Sequence, residues 1–139
     1  MASTTITAGE LDDALHQVLD DGIIEDSRKK KNWPEPVWYQ VVARGGDGAL
    51  QGGVAAKFQF DITFLDTIWV DERFRGKGIG RRLMEGFETR GRELGAKIAW
   101  LDTMSWQARP FYEKLGYRVF AELPYLAGAR AQYFLRKDL

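Results

Sequence analysis

Residues 61 to 83 constrain the fold more than any other part of this chain. "DITFLDTIWV" is β-branched and aromatic, as a central strand requires. Two positions later "RFRGKGIGRRL" packs three glycines and five basic residues into eleven positions. An apolar stripe of Ile79, Leu83, Phe87 and Leu94 then follows at helical spacing, with Gly95 placed to end it. The spacing predicts a strand, a tight turn and a helix from about Gly78 to Leu94. A chain that runs from strand to helix and on to another strand makes a crossover, which sets it in an α/β sheet.

The remaining segments fill in that sheet. Leu11, Leu15, Val18 and Leu19 recur at helical spacing after the acids Glu10, Asp12 and Asp13, and Gly22 is placed to end or interrupt this first helix. "NWPEPVW" is a proline-marked connection. "VWYQVVAR", "GGDG" and "ALQGGVAAKFQF" read as a strand, a turn and a returning strand. Beyond the crossover helix, "KIAWLDT" is a strand and "PFYEKLG" a short helix with Pro110 in its first turn and Gly116 at its end. "YRVFAEL" and "AQYFLRK" are the last two strands. The expected fold class is α/β, a mixed and mostly antiparallel sheet flanked by helices, with one crossover.

Composition bounds the function. With 139 residues, 45% of them hydrophobic, the chain can bury one core, so a single domain over residues 1–139 is expected. "MASTTITAGELDD" lacks the basic start and apolar run of a leader, and no stretch is apolar for long enough to span a bilayer, so a cytoplasmic location is expected. There is no cysteine, which excludes disulfides, thiolate metal sites and a cysteine nucleophile; one histidine, His16, cannot build a zinc site alone, and no metal is expected. Net charge is zero, with seven acids and no Lys or Arg in residues 1–27, which argues against nucleic acid as partner. The basic run Arg28 to Lys31 reads as a solvated helix end or loop.

The glycine turn carries the chemistry. Glycines let the backbone turn tightly and come close to a ligand, so the first N–H groups of the helix can point at an anion. Arg73, Arg75, Lys77, Arg81 and Arg82 add positive charge with no acid among them. The spacing fits neither G-x-x-x-x-G-K-[ST] nor G-x-G-x-x-G, because Gly78 follows Lys77 and Arg stands at 81. A pyrophosphate cradle of another kind remains.

"WVDERFRGKGIGRRLM" resembles the acyl-CoA-binding motif of the GNAT superfamily of N-acyltransferases, whose R/Q-x-x-G-x-G/A pattern is matched by Arg75, Gly78 and Gly80. "QARPFYEKLGYRVF" is similar to the family's later motif, in which a helix with a Phe-Tyr pair ends in Gly-Tyr or Gly-Phe and leads into a strand. The tail "LPYLAGARAQYFLRKDL" looks like small bacterial members. The resemblance implies acetyl-CoA as cosubstrate and a small-molecule or peptide amine as acceptor, without nucleic acid or membrane; a homodimer is compatible with it. It places Ile68, Trp69 and Val70 at the strand end beside the thioester, where a backbone N–H would hold the oxyanion. Strands four and five should splay there to admit the pantetheine arm. Arg75, Gly76, Lys77, Gly78, Ile79, Gly80 and Arg81 would surround the pyrophosphate, with Ser105 and Phe111 completing the cofactor set. Ser105 departs from the pattern, since many members carry Asn seven residues before the motif's Tyr.

The chemistry can be read beside the resemblance. An alkyl ammonium, with a pKa near ~10, must lose a proton before its nitrogen attacks a thioester, and a departing thiolate, with a thiol pKa near ~8.5, takes one up. Tyr112 stands at the family's position for the acid; Phe111 and Leu115, four apart, should face the core and leave Tyr112 on an adjoining face. The alternative for Tyr112 is a core aromatic whose hydroxyl finds a structural partner. Asp66 is the leading base: in a period-two strand it shares a face with Ile62, Phe64, Ile68 and Val70, and burial would raise its pKa to a useful value. A bulge would break that parity, and a buried Asp can serve the backbone instead. Asp102 and Glu35 are weaker candidates, and Trp33, Trp38 and Trp106 flank the expected acceptor pocket. The expected activity is an N-acetyltransferase acting by direct attack in a ternary complex; the alternative is a GNAT-like module that binds acyl-CoA without turnover.

Overall fold

The computed structural model describes residues 3–30, 32–104, 108–125, 128 and 130–139. They form two compact units, Met1–Pro34 and Glu35–Leu139.

The first unit holds helix α1 (Asp13–Arg28). Asp12 caps it by accepting the Leu15 N–H at 3.1 Å, and Asp13 lies in its first turn, so these acids sit where the helix dipole favours them. Leu11 lies before the cap. The expected stop at Gly22 does not occur: one glycine costs a helix only about 1 kcal/mol. Side-chain pairs on either side of it, Gln17 to Asp21 at 2.8 Å and Lys29 to Glu25 at 3.6 Å, support the continuous run.

The second unit holds strands β1 (Val37–Arg44), β2 (Leu50–Gln59), β3 (Ile62–Val70), β4 (Ile98–Thr103), β5 (Arg118–Tyr125) and β6 (Arg130–Asp138). Helix α2 (Ile79–Leu94) makes the crossover from β3 to β4, and α3 (Arg109–Lys114) links β4 to β5. The sheet order is β1-β2-β3-β4-β6-β5, antiparallel at every joint except β3 with β4. That parallel joint is short: only Ile62–Phe64 pair with Ile98–Trp100, although β3 runs on to Val70 and β4 to Thr103. The expected splay therefore falls between the third and fourth strands, because the fourth and fifth are separated by β6.

Leu83, Met84 and Phe87 of α2 pack with Val54, Ala56, Leu65, Leu101 and Leu135 of the sheet. Burying a side chain such as Phe87 contributes roughly 2–3 kcal/mol. The helix lies close to the sheet at Gly91, where a Cβ would come within 2.8 Å of Thr63 Cγ2. Half-buried Tyr39 and buried Thr63 bond there: the Tyr39 hydroxyl donates to the Phe87 carbonyl at 3.0 Å and accepts from Thr63 Oγ1 at 2.5 Å. Burial raises the Tyr39 pKa.

Glu88 of α2, 6% exposed, turns its carboxylate into the core. It is satisfied there: the Tyr117 hydroxyl donates to Oε2 at 2.9 Å and Lys137 Nζ to Oε1 at 2.8 Å. Burial, and next the Glu88 charge, push the Tyr117 hydroxyl pKa up, so it stays a donor. Lys137→Met should cost about 2 kcal/mol, below the roughly 3–5 kcal/mol for breaking a fully buried pair, because Arg92 remains 3.8 Å from Glu88. Adding Glu88→Gln should recover most of that loss. Urea midpoints of the single and double variants test this; a single variant as stable as the parent would refute it.

Among the described residues no helix is long and apolar enough to cross a membrane, and no three potential metal ligands cluster.

Candidate active site

β3 ends beside β2, with the Asp71 N–H donating to the Gln51 carbonyl at 2.8 Å. A single 3-10 turn (Glu72–Phe74) follows, capped by Asp71, which accepts the Arg73 N–H at 2.9 Å. The Arg73 guanidinium grips the same carboxylate with Nε at 3.1 Å and Nη2 at 2.8 Å, and holds its pKa down at about 2. Because that pKa is depressed, whatever the pair gives the turn is fully present above about pH 4 and fades as pH falls through 2. Arg75 fixes the next corner by donating from Nε to the Val70 carbonyl at 2.8 Å.

Gly76 (φ 79°) and Gly78 (φ 81°) then take the left-handed backbone that a side chain resists, and Gly78 serves as the N-cap of α2 without any side chain to fill the cap. The first-turn N–H groups of α2 have no intrahelical acceptor, and the positive end of the helix dipole lies with them. Such an arrangement can cradle an anion. The five basic residues do not contribute equally. Arg73 is bound to Asp71, and Arg81 lies 3.8 Å from Glu85. Lys77 lies 5.7 Å over the Phe74 ring, and neither Lys77 nor Arg82 has a carboxylate partner among the described residues. The acids that neutralise part of the run stand just outside it, at 71 and 85.

A cleft of about 560 Å³ opens beside this cradle. The end of β3 forms one wall through Ile68, Trp69 and Val70. The turn and the start of α2 form another, through Arg75, Gly76, Gly78, Ile79, Gly80 and Arg81, and Phe111 of α3 closes it. Ten of the expected cofactor residues are thus brought together. Lys77 is exposed and does not line the cleft; Ser105 and Trp106 lie outside the described residues. Phe74 and Ala108 also line the cleft and were missed, since an aromatic between two arginines and an alanine before a short helix carry no signal of their own.

Two expectations about the chemical groups are corrected. Phe111 is 36% exposed and lines the cleft, whereas Tyr112 is 7% exposed and belongs to the core, with Leu115 packed beside it. The α3 helix is one short turn whose buried side is set by Tyr112 and by Tyr117 just beyond it, rather than by a Phe111–Leu115 stripe. The Tyr112 ring meets Phe111 edge-on at 5.1 Å, and burial raises its pKa.

Asp66 is exposed, not buried. Ala55 pairs with Thr67 and Ala56 with Leu65, so Asp66 falls on a bulge with no partner on β2. The extra residue turns Ile68 and Val70 to the core side with Thr63 and Leu65, away from Ile62 and Phe64. Thr67 Oγ1 donates to Asp66 at 3.1 Å. Asp102, exposed near the end of β4, accepts from Gln132 Nε2 at 3.2 Å. Glu35, Trp33 and Trp38 are exposed, and Lys57 Nζ lies 5.7 Å over the Trp38 ring.

A left-handed glycine turn feeding an uncapped helix, beside a parallel strand pair that parts, defines an acyltransferase-like site. Residues 10–117 match the model of the acetyltransferase (GNAT) family, and the chain belongs to that family. A blasticidin-S acetyltransferase of Streptomyces morookaense is 35% identical over 102 residues, 73% of this chain and 75% of the relative. The solved structure of an acetyltransferase from Bacillus cereus superposes with a TM-score of 0.83 at 26% identity, covering 98% of each chain. A Bacillus anthracis protein solved in complex with acetyl coenzyme A shares the fold at a TM-score of 0.67 and 19% identity, over 81% of this chain and 68% of that one. The chain is therefore an acetyltransferase.

Proposed function

We propose that this chain, as one domain acting in the cytoplasm, moves the acetyl group of acetyl-CoA to a primary amine by direct attack in a ternary complex. The observation that carries the reading is the cleft itself: the N-terminus of α2 opens along Ile68–Val70, the stretch of β3 that no longer pairs with β4. The residues suit that cosubstrate. A Cβ at Gly78 would meet nothing within 4 Å, so the N-terminus of α2 is open to a pyrophosphate.

The thioester supplies the acetyl group. Around it the chain's own groups take separate parts. First-turn N–H groups of α2, with Arg75 and Arg81, hold the pyrophosphate. A backbone N–H from Ile68 to Val70 faces the carbonyl oxygen as it gains charge, an interaction strongest in the transition state. Tyr112 delivers its hydroxyl proton to the departing sulfur. Asp66, exposed at the bulge and level with the parting strands, takes the ammonium proton directly or through water.

Release of CoA thiol from acetyl-CoA across a broad amine panel tests the reading; binding of acetyl-CoA with no release for any amine would leave the module that binds without turnover. Asp66→Asn should lower kcat/KM for the amine by roughly 10²-fold while the KM for acetyl-CoA stays within twofold. Undiminished turnover in that variant would assign the base elsewhere, with Asp102 next to be replaced.

A further inference from the structure

We infer that Trp69 determines acceptor specificity, its indole acting as a plate for amines that carry a flat, delocalised group such as a heteroaromatic ring or a guanidinium. The inference rests on the acetyl-transfer reading and names the class of acceptor. Trp69 lines the cleft and is still 48% exposed. Ile68 and Val70, on either side of it, turn to the core, so strand alternation sends the indole to the other face. The partner of Trp69 on β2 is Gly53, which has no side chain to lean on the ring, and β4 has already parted from β3 at Phe64.

The backbone beneath the ring is held firmly. A Cβ at Gly52 would stand 2.6 Å from the Trp69 carbonyl oxygen, so the two strands are in close contact there. The result is a large, half-exposed π-face at the lip of the acyl cleft, on the opposite side of β3 from Ile68 and Val70. Such a face attracts flat unsaturated groups and, more strongly, cations. The charge on this side agrees. Asp66 lies three residues before Trp69, and Asp102 stands two residues beyond Trp100, as Asp66 stands two beyond its parallel partner Phe64. Neither carboxylate is paired with a cation among the described residues.

The test uses agmatine and tyramine as flat amines and 1,5-diaminopentane as the aliphatic control. Calorimetric titration into the CoA-saturated protein reads binding, and thiol release from acetyl-CoA reads turnover. In the parent, the flat amines should bind and react about tenfold better than the control. Trp69→Leu should remove that preference and Trp69→Phe should keep most of it, each read as the ratio of flat to aliphatic amine, in which any shared change in acetyl-CoA binding cancels. Equal treatment of all three amines by the parent overturns the inference even if Trp69→Leu fails to fold. An equal loss for every amine in a folded Trp69→Leu variant overturns it too. A preference seen in binding without any thiol release would sustain the plate and sink the acetyl-transfer reading; thiol release without preference would do the reverse. If no amine binds, both fall.

Discussion

Gly78→Asp should abolish the stabilisation expected of acetyl-CoA in the parent. At a ligand concentration of 100 times Kd the parent should gain about 2.7 kcal/mol, and the variant none. The substitution is chosen to spare the fold. Gly78 has φ 81°, a region that Asp enters more readily than most residues, and a Cβ there meets no atom within 4 Å. A carboxylate at the α2 N-terminus suits the helix by itself. What it cannot share is the cradle, where a pyrophosphate would have to meet it. Gly78→Ala, which adds backbone strain without charge, should keep part of the thermal shift. An equal shift in Gly78→Asp and the parent would place the cofactor elsewhere. Added salt should weaken parent binding, since Lys77 and Arg82 act from the surface.

Tyr112→Phe should lower turnover by roughly 10²-fold and leave acetyl-CoA affinity nearly unchanged. The ring is part of the core, edge-on to Phe111 at 5.1 Å and to Tyr117 at 6.2 Å, and phenylalanine preserves both contacts. Only the proton is lost. Burial raises the phenol's pKa above its usual ~10, so the group stays a donor across the working range. The parent's rate should consequently show no loss between about pH 8 and 10 that Tyr112→Phe removes. The same desolvation disfavours the departing thiolate, which is what makes a nearby neutral donor useful. Wild-type turnover in the variant would reduce Tyr112 to packing.

The elements were legible because their signals are local. Gly95 ends α2, Pro110 and Gly116 bracket α3, and the apolar runs of β3 and β4 announce themselves. The cleft was legible for the same reason, since its turn and strand end are one continuous segment. What failed depended on partners distant in sequence. Asp66 is displaced by a bulge specified by the pairing of β2 with β3, and no count of alternate residues along β3 contains that. Glu88 is buried only because Tyr117 and Lys137, 29 and 49 residues further on, satisfy its carboxylate, and nothing local to it announces that. Phe111 and Tyr112 exchange the expected facing, Tyr112 to the core and Phe111 to the cleft, because a helix of six residues has too few turns to display a stripe. The basic run looked stronger than it is, because Asp71 and Glu85 stand just beyond its ends.

The short joint between β3 and β4 gives the sheet a fault line. On one side lies the β1-β2-β3 ladder that α2 packs against; on the other lies β4-β6-β5, and three residue pairs are all the ladder hydrogen bonding that joins them. Glu88 crosses that line. It rides on α2 with the first ladder, while Lys137 belongs to β6 and Tyr117 immediately precedes β5 in the second. The buried carboxylate is therefore a polar tie rod across the fault line, set beside the apolar core that α2 shares with Leu101 and Leu135.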